Sequence, residues 1–245
     1  MIIHHTQIGS HHTNHNEDAL VFADLTEHHQ LLAVMDGCSM GTDSHFASTL
    51  VGKTLRKIAH QTNLRTFAES ESPDTKTLLR RVVEQLFTDL RTLSTSLDLQ
   101  YDELLTTLVL AIVDQRGPQA EVIVIGDGLV ACDEEILEFD QQNQPDYLGY
   151  HLREDFTDWW SRQDQRVRCA DFLDLALATD GVLSFRPYSP DPFRPVSQEE
   201  ITEFLLTGRD DGDPETLYRR KLLHVRDGFG LEPTDDLTVV RYLVD

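Results

Sequence analysis

The spacing of apolar residues changes along the first hundred positions and predicts strands followed by helices. Apolar runs at 18–25 and 30–36, bounded by polar residues and glycine, are typical of buried strands. Between 44 and 58 apolar residues recur every three or four positions with basic residues between them, which predicts an amphipathic helix. After a break at 71–74 the same spacing over 78–97 predicts a second helix.

The second half returns to strand-like runs. Runs at 104–113, 122–125 and 129–132 predict strands, and Gly126-Asp127-Gly128 between the last two favours a tight turn, so we expect an antiparallel meander. Residues 140–165 carry no clear period, and Trp159-Trp160 there is expected to pack onto the core. The other predicted elements are a strand at 172–179, a proline-rich loop at 187–195, helices at 198–207 and 214–225, and a strand at 237–244. This order predicts segregated α and β layers.

Composition narrows the class of protein. The 245 residues include 43 acidic and 21 basic side chains, a net charge of −22 that disfavours nucleic acid and anionic membranes as partners. No segment approaches the roughly eighteen apolar residues of a membrane span, and the first residues lack a basic region followed by an apolar run. We therefore expect one cytoplasmic domain over 1–245. The three cysteines form no Cys-x-x-Cys pair, which argues against a disulfide framework or a structural zinc site.

Acidic residues recur at the ends of the apolar runs. They are Glu17-Asp18, Asp36-Gly37, Asp127-Gly128, Asp180-Gly181 and Asp235-Asp236. Any one of these pairs alone is typical of a turn. If the strands lie side by side, however, the carboxylates converge and require cations to neutralise them. Oxygen ligands favour Mg²⁺ or Mn²⁺, and two such ions can activate a water against a phosphate ester.

Six motifs in order carry a family resemblance. They are His-Asn-Glu-Asp at 15–18, Leu-Ala-Val-Met-Asp-Gly at 32–37, Thr106-Thr107, Val-Ile-Gly-Asp at 124–127, Leu-Ala-Thr-Asp-Gly at 177–181 and Asp-Asp-Leu-Thr-Val-Val at 235–240. From about residue 9 to the end, the chain resembles metal-dependent protein phosphatases (protein phosphatase 2C) of the bacterial type. The resemblance implies an α+β fold, a four-layer α-β-β-α sandwich of two antiparallel sheets flanked by helices.

The resemblance also implies an activity and a set of catalytic residues. The activity is hydrolysis of phosphoserine or phosphothreonine in a phosphoprotein substrate, by a water activated by two Mg²⁺ or Mn²⁺ ions. Asp36 would bridge the two ions and, with Asp18, be central to catalysis. The Gly37 carbonyl would bind one ion, and Asp180 and Asp235 the other.

Further acidic residues take supporting roles in the same comparison. Glu17 and Asp18 would hold metal-bound waters or a metal directly. Asp102, just before the Thr-Thr motif, matches the ligand of a third, weaker ion. Asp127 would support the sheet, and Asp236 could exchange roles with its predecessor.

Two positions depart from the family pattern. The family often has an arginine that grips the substrate phosphate where this chain has Thr13. A protonated His11, His12 or His15 could take its place, and the candidate phosphate-binding residues are His12 and Thr13. Cys38 stands where eukaryotic relatives have a histidine suited to general-acid work, although bacterial relatives often lack it too.

Three alternatives stay open. Gly37–Gly41 fits the Gly-x-Ser-x-Gly elbow of a serine hydrolase, with Ser39 as nucleophile and Asp180 and His224 following in triad order. A phosphatase-like module that binds without turnover would explain the missing arginine. A histidine-rich metal site is also conceivable, because seven of the eleven histidines lie in the first 29 residues. The sequence does not predict an oligomeric state.

Overall fold

The computed structural model describes residues 1–41, 43–69, 73–141, 145–188, 195–209 and 212–244. Its strands are β1 (Ile2–Gln7), β2 (Ala19–Asp24), β3 (His29–Met35), β4 (Leu108–Asp114), β5 (Gln119–Ile125), β6 (Gly128–Cys132), β7 (Glu135–Phe139), β8 (Arg166–Ala170), β9 (Asp174–Ala178), β10 (Phe185–Pro187), β11 (Leu231–Pro233) and β12 (Leu237–Leu243). Its helices are α1 (Ser44–Glu69), α2 (Thr75–Leu97), α3 (Leu148–His151), α4 (Phe156–Arg162), α5 (Gln198–Leu206) and α6 (Leu217–His224). None of these helices is long and apolar enough to cross a membrane.

Two five-stranded antiparallel sheets form the centre of the molecule. The first has the order β1-β12-β9-β6-β7 and the second β2-β3-β4-β5-β8, while β10 and β11 form a separate ribbon. Helices α1 and α2 pack on the outer face of the second sheet, and α5 and α6 on the outer face of the first. The predicted four-layer α-β-β-α sandwich is confirmed.

Strand β3 shows why the central strands are apolar without interruption. Leu31, Ala33 and Met35 point to the helix side, whereas Leu32 and Val34 join the core between the sheets. Because side chains alternate faces along a strand and both faces are covered, every position of β3 from Leu31 to Met35 is buried.

The prediction at Gly126-Asp127-Gly128 is wrong in one respect. β4 and β5 do pair as neighbours, but β6 does not return along β5, because the chain crosses there from the second sheet to the first. Gly126 has φ 80°, and a Cβ on Gly128 would lie 2.5 Å from Val109 Cγ2. The glycines therefore serve a crossover between sheets, and β6 forms its hairpin with β7.

Five strands were not predicted: β10 and β11, which form the separate ribbon, and three strands at the edges of the five-stranded sheets. β1, β7 and β8 each pair with one neighbour only. An edge strand carries polar residues at many positions, so its apolar pattern is weak. The unassigned region contains α3 and α4, where Trp159 packs against Phe87 as expected. The proline-rich loop and the break near 71 lie largely outside the described residues.

A buried ion pair joins β9 and β12, which are neighbouring strands in the first sheet. Arg241 is fully buried on β12, and its Nε donates to Asp174 Oδ1 of β9 at 2.7 Å, while Nη2 donates to Oδ2 at 2.5 Å. The guanidinium also donates to the carbonyls of Thr207 and Gly208, both at 2.9 Å. This fork geometry satisfies both charges inside the protein.

Removing one partner of this pair is expected to be costly. Arg241→Met leaves the Asp174 carboxylate buried without its counter-charge, so we expect the free energy of unfolding to fall by about 3–5 kcal/mol, measured by urea titration. Arg209→Gln is the control, because Arg209 is largely exposed and its Nε lies 3.4 Å from Asp174 Oδ2, further away than the Arg241 nitrogens. This variant should lower the free energy of unfolding by less than about 1 kcal/mol. Equal losses in the two variants would contradict the expectation.

Candidate active site

Four carboxylates meet at one end of the sandwich. Asp18 precedes β2 and Asp36 follows β3 in the second sheet, whereas Asp180 follows β9 and Asp235 precedes β12 in the first. The charges of Asp18, Asp180 and Asp235 all act on Asp36, and burial together with these charges raises the pKa of Asp36 well above its usual range. The structure thus brings together the four aspartates that the resemblance singled out.

Asp18 is the most enclosed member of this group. Thr179 Oγ1 donates to its Oδ2 at 2.8 Å, while its Oδ1 is buried without a hydrogen-bond partner. Burial, together with the charges of Asp236 and Asp180, raises the pKa of Asp18 well above its usual range. A buried carboxylate oxygen without a donor is costly unless a cation meets it.

Asp180 also has a raised pKa. Burial is the main cause, and the charges of Asp235 and Asp127 add to it, raising the pKa of Asp180 to about 6. Asp127 is itself buried and accepts a hydrogen bond from the Gln141 amide at 2.9 Å.

The Thr-Thr motif holds the backbone of Asp36 in place. The Asp36 amide donates to Thr107 Oγ1 at 3.0 Å, and its carbonyl accepts from Thr106 Oγ1 at 2.7 Å and from the Thr107 amide at 2.8 Å. These residues lie just before β4, the neighbour of β3. The Thr-Thr motif therefore fixes the position of Asp36, which is its neighbour in space.

The glycines after Asp36 and Asp180 are required by close backbone contacts. A Cβ on Gly37 would lie 2.0 Å from the Ser44 carbonyl oxygen, and one on Gly181 would lie 1.8 Å from the Asp236 carbonyl oxygen. Neither glycine has a positive φ. These Asp-Gly pairs thus mark tight packing at strand ends rather than left-handed turns.

Asp235 and Asp236 have different environments. Asp236 is almost fully buried and accepts hydrogen bonds from the Gly9 amide at 2.8 Å and the Glu17 amide at 2.5 Å. The Asp235 side chain is 46% exposed and is the one whose charge acts on Asp36. The geometry therefore favours Asp235 as the candidate ligand and does not support the exchange of roles, because Asp236 anchors the loop that carries Glu17.

Glu17 and His12 border the carboxylate group. The hydroxyls of Ser39 and Ser44 donate to Glu17 at 2.8 and 2.5 Å. His12 Nδ1 lies 2.9 Å from Asp236 Oδ2, and its Nε2 lies 3.7 Å from Asp235 Oδ1. Burial opposes protonation of the ring, but Asp236, Glu17 and Asp235 outweigh it and raise the pKa of His12.

Two further predicted positions are Thr13 and Asp102. Thr13 is exposed beside His12. Asp102 lies in the 3-10 turn Tyr101–Leu104, where its carbonyl oxygen would contact a Cβ on Gly41 at 2.8 Å. Its role as a ligand stays a prediction.

Sequence analysis missed Tyr147, which lies at this site. Its hydroxyl contacts the thiol of Cys38, and burial, that contact and the charge of Asp36 raise the pKa of Tyr147 well above its usual range. Tyr147 packs edge-on against Tyr150 at 5.7 Å, and Tyr150 stacks on Tyr101 at 5.4 Å. Tyr147 lies directly before a four-residue helix in a segment without apolar periodicity, so no sequence signal marked it.

The structure gives no support to two of the alternatives. The Ser39 hydroxyl donates to Glu17, whereas His224 packs between Phe204 and Phe229 beside the first sheet, so the three residues of the proposed triad are not assembled. The N-terminal histidines have different neighbours. For example, His4 contacts Phe22 and His5 contacts Tyr218.

The carboxylate group fits a hydrated hard cation. Among the described residues, no three Asp, Glu, His or Cys side chains are close enough to enclose a single ion by themselves. Mg²⁺ keeps several waters and is commonly held by only one or two carboxylates, so it does not need such a cage. The unpartnered Asp18 Oδ1 and the all-oxygen character of the group agree with a site of this kind.

A comparison with models of protein families shows which family the chain belongs to. The family model of protein phosphatase 2C matches residues 8–217. The chain belongs to the protein phosphatase 2C family. The matched range ends before Asp235, so the phosphatase 2C match does not include that residue.

Solved structures share the phosphatase 2C fold. A variant of a bacterial serine phosphatase has a TM-score of 0.65 at 19% identity, covering 100% of this chain and 98% of that one. Serine/threonine phosphatase Stp1 from Staphylococcus aureus has a TM-score of 0.63 at 16% identity, covering 100% and 94%. RsbX in complex with magnesium has a TM-score of 0.55 at 11% identity, covering 99% and 94%. A comparison with curated protein sequences finds no match.

The repulsion at this phosphatase 2C site predicts an unusual dependence of stability on pH. A carboxyl whose pKa is higher in the folded state binds more protons there than in the unfolded chain, so metal-free stability falls as pH rises from about 4 through 6. Asp36→Asn removes one such carboxyl. We expect it to raise the melting temperature of the metal-free protein at pH 7 by roughly 2–6 °C.

Calorimetry at pH 5 and 7, with EDTA and with Mn²⁺, measures this effect. Asp36→Asn should also shrink the stabilisation by Mn²⁺ that we expect in the wild type. Glu27→Gln is the matched control, since the Glu27 side chain is 86% exposed and should leave both quantities unchanged. A metal-free Asp36→Asn variant less stable than the wild type at pH 7 would refute the interpretation.

Proposed function

We propose that this protein hydrolyses phosphoserine or phosphothreonine in proteins, with two Mg²⁺ or Mn²⁺ ions and a third, weaker one. Membership of the protein phosphatase 2C family supports the reaction class. The observation that carries the proposal is the group of Asp18, Asp36, Asp180 and Asp235, because the burial of the first three and the repulsion within the group call for cations. A magnesium complex among the structurally similar proteins agrees with this choice of ion.

The residues of this chain would divide the work as follows. Asp36, the Gly37 carbonyl, Asp180 and Asp235 would hold the two principal ions. Asp102 would hold the third, and the waters around the ions would be held from Glu17 and Asp18. The chemistry that bound ions supply is an activated water for in-line attack on phosphorus. The phosphatase domain is proposed to span 1–245 and to act in the cytoplasm.

The substrate phosphate would be bound from the side of His12 and Thr13. Thr13 offers a neutral hydroxyl where an arginine would offer a charged fork, so attraction for phosphate depends on His12. The acidic residues around His12 keep its ring protonated to higher pH than an ordinary histidine.

Metal-dependent turnover is the first test. Hydrolysis of p-nitrophenyl phosphate and of a phosphothreonine peptide is measured with Mn²⁺, with Mg²⁺ and with EDTA. We expect activity with metal and none with EDTA, and a fall in kcat/KM of at least about 10²-fold in Asp36→Asn. Glu27→Gln should match the wild type.

Two outcomes would contradict this proposal. A folded Asp36→Asn variant with unchanged turnover would exclude the assigned centre. Metal binding without hydrolysis of either substrate would favour the alternative that Thr13 suggests, a phosphatase-like binding module. Ser39→Ala should lower activity less than about tenfold, since only its hydrogen bond to Glu17 is lost.

Tyr147 is expected to take part in substrate positioning. Its phenol lies beside Cys38 and near Asp36, where it can donate a hydrogen bond to the phosphate or to the leaving oxygen. Tyr147→Phe should lower kcat/KM about five- to tenfold, the value of one hydrogen bond to a charged group. Tyr150→Phe, which removes a hydroxyl from the neighbouring ring, is the control and should change activity less than twofold.

A further inference from the structure

The layer formed by α1 and α2 differs in charge from the rest of the molecule. Between residues 44 and 97 there are eight Lys and Arg side chains against five Asp and Glu. The remainder of the chain has thirteen against thirty-eight. A protein with a net charge of −22 thus has a basic layer on one face, which calls for an explanation of its own.

A concave site lies within this layer, at the start of α2. We call it the cationic cavity; it has a volume of about 400 Å³ and is lined by Lys76, Thr77, Arg80, Arg81, Glu84 and Trp160. Arg166 borders it, with its guanidinium 4.1 Å from the centre of the Trp160 ring. The Nε of Arg166 is buried and has no hydrogen-bond partner. The cavity therefore combines several cations with an aromatic wall.

The stability of α2 does not account for the cation nearest the start of the helix. Lys76 lies in the first turn, where the helix dipole favours acidic side chains, and that turn contains none. The carboxylate of Asp74 accepts from the Thr77 amide at 2.8 Å and from its hydroxyl at 2.9 Å, so it is engaged as the N-cap. A lysine in the first turn is unfavourable for the helix, and Arg80 adds a second positive charge one turn further on, which agrees with an anionic ligand.

Like charges also face each other across the cavity. Burial lowers the pKa of Arg166, and the positive charge of Arg80 lowers it further. Among the described residues that line the cavity, Glu84 is the single carboxylate, against three cations there and a fourth at the border. An anion entering the cavity would relieve this repulsion.

A second groove extends the cavity between α1 and α2. This groove has a volume of about 270 Å³, shares Arg81 and Glu84 with the cavity, and adds Arg65 at its other side. Such a track suits an extended chain that presents several carboxylates better than it suits one small ion. A planar anionic membrane would reach a concave site poorly, and the net charge of the protein would repel it.

We propose that the cationic cavity and its adjoining groove bind an acidic segment of a partner protein. Arginine forks match the geometry of carboxylates, and clusters of arginines commonly recognise acidic motifs. The attraction acts locally, because at physiological salt charges beyond about 8 Å are largely screened. The proposal does not depend on phosphatase activity, since the cavity is on the helix layer and not among the carboxylates at the strand ends.

Binding of a defined peptide tests this proposal without any catalytic readout. A fluorescein-labelled peptide with eight glutamates is titrated with the full chain in EDTA, and anisotropy is followed at 50 and 300 mM NaCl. We expect saturable binding that weakens at high salt, and none with the peptide in which glutamine replaces glutamate. Absence of binding at low salt would overturn the proposal.

Matched variants locate the site. Arg80→Gln should weaken the affinity about five- to tenfold, because it removes one charged fork from the cavity. Lys53→Gln removes the same charge from an exposed position on α1 and should change the affinity less than twofold. Both positions are exposed, so both variants should fold, as circular dichroism would verify. Equal weakening by the two variants would show an unspecific charge effect and overturn the assignment.

Two competitors separate other anions from a polypeptide. Inorganic phosphate, at the same concentration of negative charge, should displace the peptide weakly, because it cannot occupy cavity and groove together. Vesicles containing phosphatidylserine should not bind. Displacement by phosphate as effective as by unlabelled peptide, or vesicle binding that depends on Arg80, would overturn the polypeptide proposal.

Discussion

Repulsion among buried carboxylates is the constraint on which this site depends. Asp18, Asp36, Asp180 and Asp235 come from both sheets, and burial together with neighbouring acidic charges raises the pKa values of Asp18, Asp36 and Asp180. Such a group holds together only if the backbone beneath it is firmly fixed. The hydrogen bonds from the Thr-Thr motif, and the loop that Asp236 anchors, are interactions of this kind.

Acidic residues lie at both ends of β9 and β12, which are neighbouring strands in the first sheet, and their charges are neutralised differently at the two ends. At one end of β9 and β12, Asp174 is neutralised inside the protein by Arg241. At the other end, Asp180 and Asp235 repel each other, and His12, whose Nε2 lies 3.7 Å from Asp235 Oδ1, offsets only part of this acidic charge. The first arrangement is closed to ligands because its charges are already satisfied. The second arrangement leaves acidic charge that the protein does not fully neutralise and that a cation from solution can neutralise.

Much of this site could be predicted from the sequence, because its acids follow apolar runs. Asp36 and Asp180 each end a run long enough to be a central strand, so their meeting at one sheet end follows from the fold class. The glycine after each was interpreted as a turn signal, yet its actual role is to admit a carbonyl oxygen within 2.0 Å of where a Cβ would stand. The sequence alone does not show whether a glycine is needed for a turn or for close contact with another part of the backbone.

Other features depend on contacts that sequence patterns do not encode. The crossover at Gly126–Gly128 looks locally like a hairpin, and only the packing of two sheets shows that the chain changes partner there. Asp235 and Asp236 are adjacent and alike, and burial alone distinguishes them. The cationic cavity unites α2 with Trp160 and Arg166, which lie about eighty positions further along the chain.

The hydrogen bond from the Glu17 amide to Asp236 spans 219 positions, and β1 pairs along its whole length with β12. The carboxylate group therefore cannot assemble from the part of the chain that a ribosome makes first. A growing polypeptide holds Asp18 and Asp36 but lacks the residues that order and complete the group. The carboxylate group is thus complete only after the segment with Asp235 and Asp236 has been synthesised and β12, which follows it, has joined the first sheet.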